Sequence, residues 1–326
     1  VINPYTGCVL GCAYCFASFA GRQFGRSAKE WGDYLYVKTN AVDLARRELA
    51  RMAEHKRHGT MLLSSVTDPY QGHETRYRLT RDILRELKAV EYPGLVRILT
   101  KSPVVTRDID LLTSLPRAEV GMTVTTADDK VSRWLEVRAP LASRRLRTLT
   151  ELVPRQATFA PSRRPARPLV APAENPSTSS TRAFGRHTES THRTPLLDGQ
   201  TLPDAALGEA GIPTFAFVGP LLPHFADRPE LLDHLFGQLV KAGVTEVFME
   251  HINLKRYIRE RMDQVLADEP DEVRQAYVQA RTKEHREQLD AIVAGLLAEH
   301  GLRLRFDEVV HHDDNDALRQ RLAGPA

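Results

Sequence analysis

Cysteine is nearly absent from this sequence. Only three of its 326 residues are cysteines, and all three fall between positions 8 and 15. So few thiols in one place exclude the disulfide framework of a small secreted domain. Long apolar runs are missing as well: no stretch approaches the roughly 20 residues a membrane helix requires, and no basic-then-apolar leader precedes the cysteines. An excess of charge of either sign is missing: 45 Lys and Arg against 42 Asp and Glu leave a net +3 at pH 7, too small to announce a nucleic-acid partner. The excess lies in 154–203, where Arg155, Arg163, Arg164, Arg167, Arg182, Arg186 and Arg193 outnumber Glu174, Glu189 and Asp198. At 42% hydrophobic and 27% charged, the chain reads as globular and long enough for one large α/β domain with an appendage. A cytoplasmic protein without a membrane segment is expected.

What is present is concentrated at the start. Cys8, Cys12 and Cys15 are separated by three and then two residues, so one loop can turn three thiolates to one point. Gly7 and Gly11 supply the backbone freedom such a turn needs. Three soft sulfur ligands suggest a metal. Structural zinc wants four protein ligands, and the fourth would be a distant histidine such as His224 or His251. An iron–sulfur cube held by three cysteines leaves one iron open to a non-protein ligand. The chain opens with Val1 almost on top of the cysteines, so a first strand delivering the loop is expected to be truncated.

The remainder alternates. Tyr34 to Lys38 reads as a strand, followed by a helix carrying Val42, Leu44, Ala45, Leu49 and Met52 at helical spacing. Strands are expected at 61–65, 95–99, 120–124, 214–218 and 246–250, with helices between them. Thr80, Thr106 and Thr126 sit where helix caps belong. This repetition predicts a partial (β/α)6 barrel, TIM-like, with a parallel sheet inside its helices. From 154 to 203 the chain is rich in Pro, Arg, Ser and Thr without periodicity, which predicts a disordered insertion, and helix is expected to resume at 205–210. A core over 1–258 and a mostly helical extension over 259–326, with a short strand near 302–306, complete the expected organisation.

Cys-x3-Cys-x2-Cys with Tyr14 before the last cysteine resembles the cluster loop of the radical S-adenosylmethionine (SAM) superfamily. Asn3-Pro4-Tyr5-Thr6-Gly7-Cys8 ahead of it resembles the spore photoproduct lyase-like branch. Val37-Lys38-Thr39-Asn40, Thr67-Asp68-Pro69-Tyr70-Gln71, Tyr77-Arg78-Leu79-Thr80-Arg81, Thr100-Lys101-Ser102 and Thr123-Val124-Thr125-Thr126 are similar to that branch in type and order. The resemblance implies a [4Fe–4S] cluster on Cys8, Cys12 and Cys15 with SAM on the open iron. It also implies reductive cleavage of SAM to a 5′-deoxyadenosyl radical that abstracts hydrogen, and an electron donor such as flavodoxin or ferredoxin. Nucleic acid is among the substrates it allows. A lyase like the branch's namesake would use a further cysteine as hydrogen donor, and none is present unless a tyrosine such as Tyr70 replaces it.

In such barrels chemistry sits at the C-terminal strand ends. Lys101 can meet the SAM carboxylate or a ribose hydroxyl, and Ser64, Ser65 and Thr67 offer hydroxyls near the amine, with Asp68 and Ser102 beside them. Tyr14 and Phe16 can pack on the adenine. The resemblance implies a cofactor role for Lys101 and Thr123. Plainer readings stand beside these: Asp68-Pro69-Tyr70 as a turn, His251 and Asn253 as core polar groups, and His311-His312-Asp313-Asp314 as a solvated run. The rival functions are a zinc- or Fe–S-binding nucleic-acid-associated protein without catalysis, and a degenerate radical SAM homologue.

Overall fold

The computed structural model describes residues 1–152 and 211–311; the expected insertion, the helix expected at 205–210, and His312 to Asp314 lie outside them. Eight strands are present among the described residues: β1 (Tyr5–Thr6), β2 (Tyr36–Val37), β3 (Met61–Leu63), β4 (Val96–Thr100), β5 (Ala118–Thr123), β6 (Thr214–Leu221), β7 (Glu246–His251) and β8 (Arg303–Leu304). β3 to β8 form one six-stranded sheet in sequence order, every neighbouring pair parallel. This is the α/β architecture expected, with strands covered on both faces, as β5 is along its whole length.

The helices earn their places by one apolar stripe each. In Leu79–Ala89 the buried Leu79, Ile83, Leu84 and Leu87 recur every three or four residues, and the stripe packs on the helix Ala41–Ala50 and the sheet. Among the described residues no helix is long and apolar enough to cross a membrane.

Three expectations need correction. Tyr34 to Lys38 is not a barrel strand. Only Tyr36–Val37 is extended, and it pairs antiparallel with Tyr5–Thr6 in a separate ribbon. The sixth strand is instead β8, supplied by residues expected to belong to the C-terminal extension. The expected caps are also reassigned. Thr80 lies inside its helix and donates to the Pro69 carbonyl, while the Glu74 carboxylate accepts from the Thr80 and Arg81 amides. Thr106 donates within the 3-10 turn Pro103–Asp108, whose N-terminus is capped by Ser102. Thr126 accepts from the Asp128 amide, and Asp128 caps Asp129–Leu135.

Ile2 bridges Leu63 in the parallel sense, donating its amide to Leu62 and accepting from Ser64 at 2.8 Å. The residues just ahead of the cysteine loop therefore already lie along the sheet edge.

Candidate cofactor site at the strand ends

The cysteine loop is fastened from several sides. Gly7 has φ +89°, and a Cβ there would lie 2.6 Å from the Tyr34 carbonyl oxygen; Gly11 has φ +66°. Both positions therefore need glycine. The Val9 amide donates to Gln71 Oε1 at 3.0 Å, Thr67 Oγ1 donates to the Gly7 carbonyl, and the Ala13 amide donates to Leu135 at 2.8 Å. Asn3 Oδ1 accepts from the Ser65 and Val66 amides. The loop thus hangs between the sheet edge and the helix after β5.

It faces a cleft at the C-terminal ends of the strands, lined by Cys8, Cys12, Tyr14, Cys15, Phe16, Ser64, Ser65, Thr67, Asp68, Lys101 and Thr123. Leu10, Trp31 and Phe217 supply apolar wall, and Glu250 and Asn253 close the far side. A β6 register shift between Val218 and Leu221 brings Gly219 and Pro220 to the floor.

The polar groups divide into those already committed and those that are not. The Asp68 carboxylate lines the cleft and accepts from Thr100 Oγ1 (2.7 Å) and from the Lys101 (2.7 Å) and Tyr70 (2.8 Å) amides, which clamps the segment after β3 to the end of β4. Thr67 is occupied in holding Gly7 and Gln71. Ser102 is a cap and does not line the cleft. The Tyr14 hydroxyl turns inward to Glu136. Ser64 is different: at φ +67° it is held in a left-handed conformation unusual for serine, and its hydroxyl is buried without a partner.

Beneath the loop lies a network that sequence reasoning missed. Glu136, with no exposed surface, accepts from Tyr14 and Arg145 and from Ser132 Oγ at 3.3 Å, and lies 3.8 Å from Lys101 Nζ. Burial pushes its carboxyl up, but Arg145 and Lys101 outweigh burial and hold it below the usual range. Arg261, from the helix Arg256–Leu266, was missed as well. Its Nη1 is buried without a partner, and its charge acts on Cys15.

Burial pushes the Cys12 thiol up to about 12 against the pull of Lys101. It also raises Cys15 against the pull of Lys101 and Arg261, and Cys8 with no cation opposing it. The donor set discriminates between the metals. Four sulfurs around one zinc would lie about 3.8 Å apart, given Zn–S bonds of about 2.3 Å. Among the described residues the trio of ligating side chains mutually within 4.8 Å is His251, Asp290 and His311, and the cysteines are not part of it. Three thiols beside the Arg261 guanidinium, whose Nη2 donates to the Gly11 carbonyl at 3.4 Å and whose Nη1 has no partner, suit an anionic cluster. Neither expected fourth zinc ligand reaches the loop: His224 packs on Phe225 and Tyr277, and His251 pairs with Asp290. Tyr70 is fully buried and does not line the cleft, so the expected substitute hydrogen donor is misplaced for that role.

Residues 2–156 match the family model of the Radical SAM superfamily. An uncharacterized protein of Methanocaldococcus jannaschii is 33% identical over 152 residues, 47% of this chain and 54% of that protein. An uncharacterized protein of Mycobacterium tuberculosis is 26% identical over 258 residues, 78% of this chain and 58% of that protein. The chain thus spans a little over half the length of these relatives. Among solved structures, spore photoproduct lyase complexed with dinucleoside spore photoproduct matches with a TM-score of 0.54 at 13% identity, covering 94% of this chain and 76% of that one. A mutant spore photoproduct lyase with bound AdoMet and the same dinucleoside matches at 0.50, with the same identity and coverage. At that identity the likeness is one of fold.

Proposed function

Residues 2–156 match the Radical SAM superfamily model, and on that premise we propose that the chain is a member of it, that Cys8, Cys12 and Cys15 hold a [4Fe–4S] cluster and that the cleft binds SAM beside it. The observation that carries this reading is that all three thiols line one cleft, with unsatisfied buried polar atoms nearby, Ser64 Oγ and Arg261 Nη1. When bound and reduced, the cluster supplies the electron that cleaves SAM to methionine and a 5′-deoxyadenosyl radical, which abstracts hydrogen from a substrate.

The protein's part is to bind, orient and exclude water. Lys101 stands between the thiols and Glu136, with its Nζ 5.7 Å from the centre of the Tyr14 ring, where it can offset cluster charge and meet the SAM carboxylate. Ser64 Oγ is placed for a polar end of SAM, while Leu10, Trp31 and Phe217 keep the cleft dry. Arg261 and Tyr257 cover the loop from the C-terminal side, Tyr257 donating to the Phe16 carbonyl at 3.0 Å. In this arrangement the described residues after 258 supply both Arg261 beside the loop and β8 at the sheet edge. The electron donor proposed is an external one such as flavodoxin or ferredoxin; within these 326 residues every cysteine falls in the loop, leaving none for a second cluster. An oxygen-sensitive cluster fits a reducing interior, and the cytoplasm is the compartment proposed. The same lack of a free cysteine argues against return of hydrogen by a separate thiol within these 326 residues. A nucleic-acid substrate is the first class to test, on the likeness of fold alone.

The test is anaerobic reconstitution with iron and sulfide, reduction with dithionite in the presence of SAM, and chromatography for 5′-deoxyadenosine. The product is expected from the native chain and not from Cys12→Ala. A fully loaded cluster that never cleaves SAM would overturn the enzymatic reading.

A further inference from the structure

Away from the cleft, three ligating side chains from three elements meet at one point. His251 ends β7, Asp290 lies in the helix Lys283–His300, and His311 follows β8. His251 Nε2 is 2.8 Å from one carboxylate oxygen of Asp290 and His311 Nε2 is 3.1 Å from the other. The two imidazoles stack with centroids 4.3 Å apart. Glu250 lines the cleft, and because side chains alternate along a strand its neighbour His251 faces the other way.

We propose that His251, Asp290 and His311 bind a divalent transition-metal ion, zinc by preference, at a site independent of the cysteines. Two imidazoles and a carboxylate suit zinc, and leave a fourth tetrahedral position for water. With Zn–N and Zn–O bonds of about 2.0–2.1 Å, adjacent ligand atoms on a tetrahedral ion stand roughly 3.3 Å apart. The two imidazoles meet different carboxylate oxygens, at 2.8 and 3.1 Å, and all three ligand atoms lie within 4.8 Å of one another, so seating one ion requires the side chains to turn toward a common point. Burial raises the Asp290 carboxyl, but its contacts with His251 and His311 outweigh that, so it is held below the usual range and remains anionic. The site is reachable, since Asp290 keeps 34% and His311 25% of its side-chain exposure.

The ion would have a structural task. The 309–311 stretch is joined to β7 by only a short ladder, the His251 amide donating to Val310 (2.9 Å) and the Val310 amide to Met249 (3.0 Å). A metal shared by β7, the long helix and this stretch would fasten the end of the described chain onto the sheet. His300 pairs with Asp233 at 2.6 Å with no third ligand, and serves as an internal control.

Chelator-stripped full-length protein is titrated with Zn2+ alone and its retained metal measured by mass spectrometry after desalting, beside the visible spectrum of the Co2+ form. The expected result is a single zinc per chain that persists when Cys8, Cys12 and Cys15 are all replaced by alanine. Binding is expected to weaken at least about ten-fold in Asp290→Asn and in His311→Gln, and not in His300→Gln. The Co2+ form should show nitrogen–oxygen ligand-field bands without thiolate charge transfer. Because His311 is partly exposed, His311→Gln is expected to keep the native circular dichroism. Zinc lost with the cysteines, or held equally by Asp290→Asn and His311→Gln, would overturn the site. Success or failure here is separate from SAM cleavage, which depends on the cleft.

Discussion

Glu136 shows how much of the site's chemistry rests on one concealed side chain. It has no exposed surface and faces Arg145, itself fully buried, so the pair is an ion pair with no water to take over either charge. Removing one partner of such a pair costs more than the pair contributes, since the other charge is stranded. Glu136→Gln is therefore expected to lower stability by about 3–5 kcal/mol in urea unfolding. Glu136→Gln combined with Arg145→Met should recover most of it. Equal losses in the single and double variants would mean that Arg145 finds another counter-charge. Neither residue was legible in the sequence. They stand nine positions apart and read as solvated polar residues, because only the fold reveals that the helices Asp129–Leu135 and Ala142–Leu152 turn them toward one point. The cysteines and the strand-end hydroxyls were legible, because a parallel barrel puts chemistry at strand C-termini by geometry alone. Which of those hydroxyls were already engaged was not, since Asp68 is satisfied by Thr100, 32 positions along the chain.

At the scale of elements, the turn Pro223–Phe225 after β6 decides how the C-terminal helices dock. His224 is buried there between Phe225 and Tyr277 of the helix Asp271–Gln279. Burial, with Arg228 adding to it, pushes the imidazole down to about 4. The unfolded chain therefore takes up this proton at a higher pH than the folded one. Stability attributable to His224 is whole above the ordinary imidazole value of about 6.5 and declines as pH falls toward 4, by on the order of 3 kcal/mol. Carboxylates held low, such as Glu136 and Asp290, act on stability only at more acid pH, so the windows separate. Replacing His224→Phe keeps an aromatic ring in place and is expected to flatten the urea-unfolding midpoint between pH 6.5 and about 4; an unchanged slope would assign it to another group. The elements themselves were mostly readable. β3 to β7 announce themselves as apolar runs, the mark of strands buried on both faces. Tyr34 to Val37 carries the same aromatic and β-branched signal, but residue type cannot say which sheet a strand joins. Arg303–Leu304 was underrated because a two-residue strand has no periodicity to read.

The whole molecule separates holding from reacting along the barrel axis. At the N-terminal strand ends Arg305 bridges Glu119 (2.7 Å) and Glu246 (3.0 Å) and lies 4.2 Å over the Phe215 ring, with Arg97 also on Glu119. One guanidinium thus ties the segment after β8 to β5, β6 and β7. At the opposite ends stand Ser64, Lys101, Thr123 and Glu250, where the cysteine loop closes over them. Conserving function at one end while changing stability at the other is a property of such barrels, and it makes two variants opposite in effect. Arg305→Met leaves Glu119 with only Arg97, and is expected to lower stability by about 2–4 kcal/mol because most of the cluster is buried. Its SAM affinity in the reconstituted protein should be unchanged. Lys101→Met leaves Glu136 paired with Arg145, so stability is expected to move by less than about 1 kcal/mol. SAM binding should weaken at least about ten-fold through loss of a charge-assisted contact. Urea unfolding and equilibrium dialysis with SAM, run on both proteins, read the two quantities separately. If both variants moved both quantities together, the two ends would be one cooperative unit, and the placement of Lys101 in SAM recognition would reduce to its support of the loop.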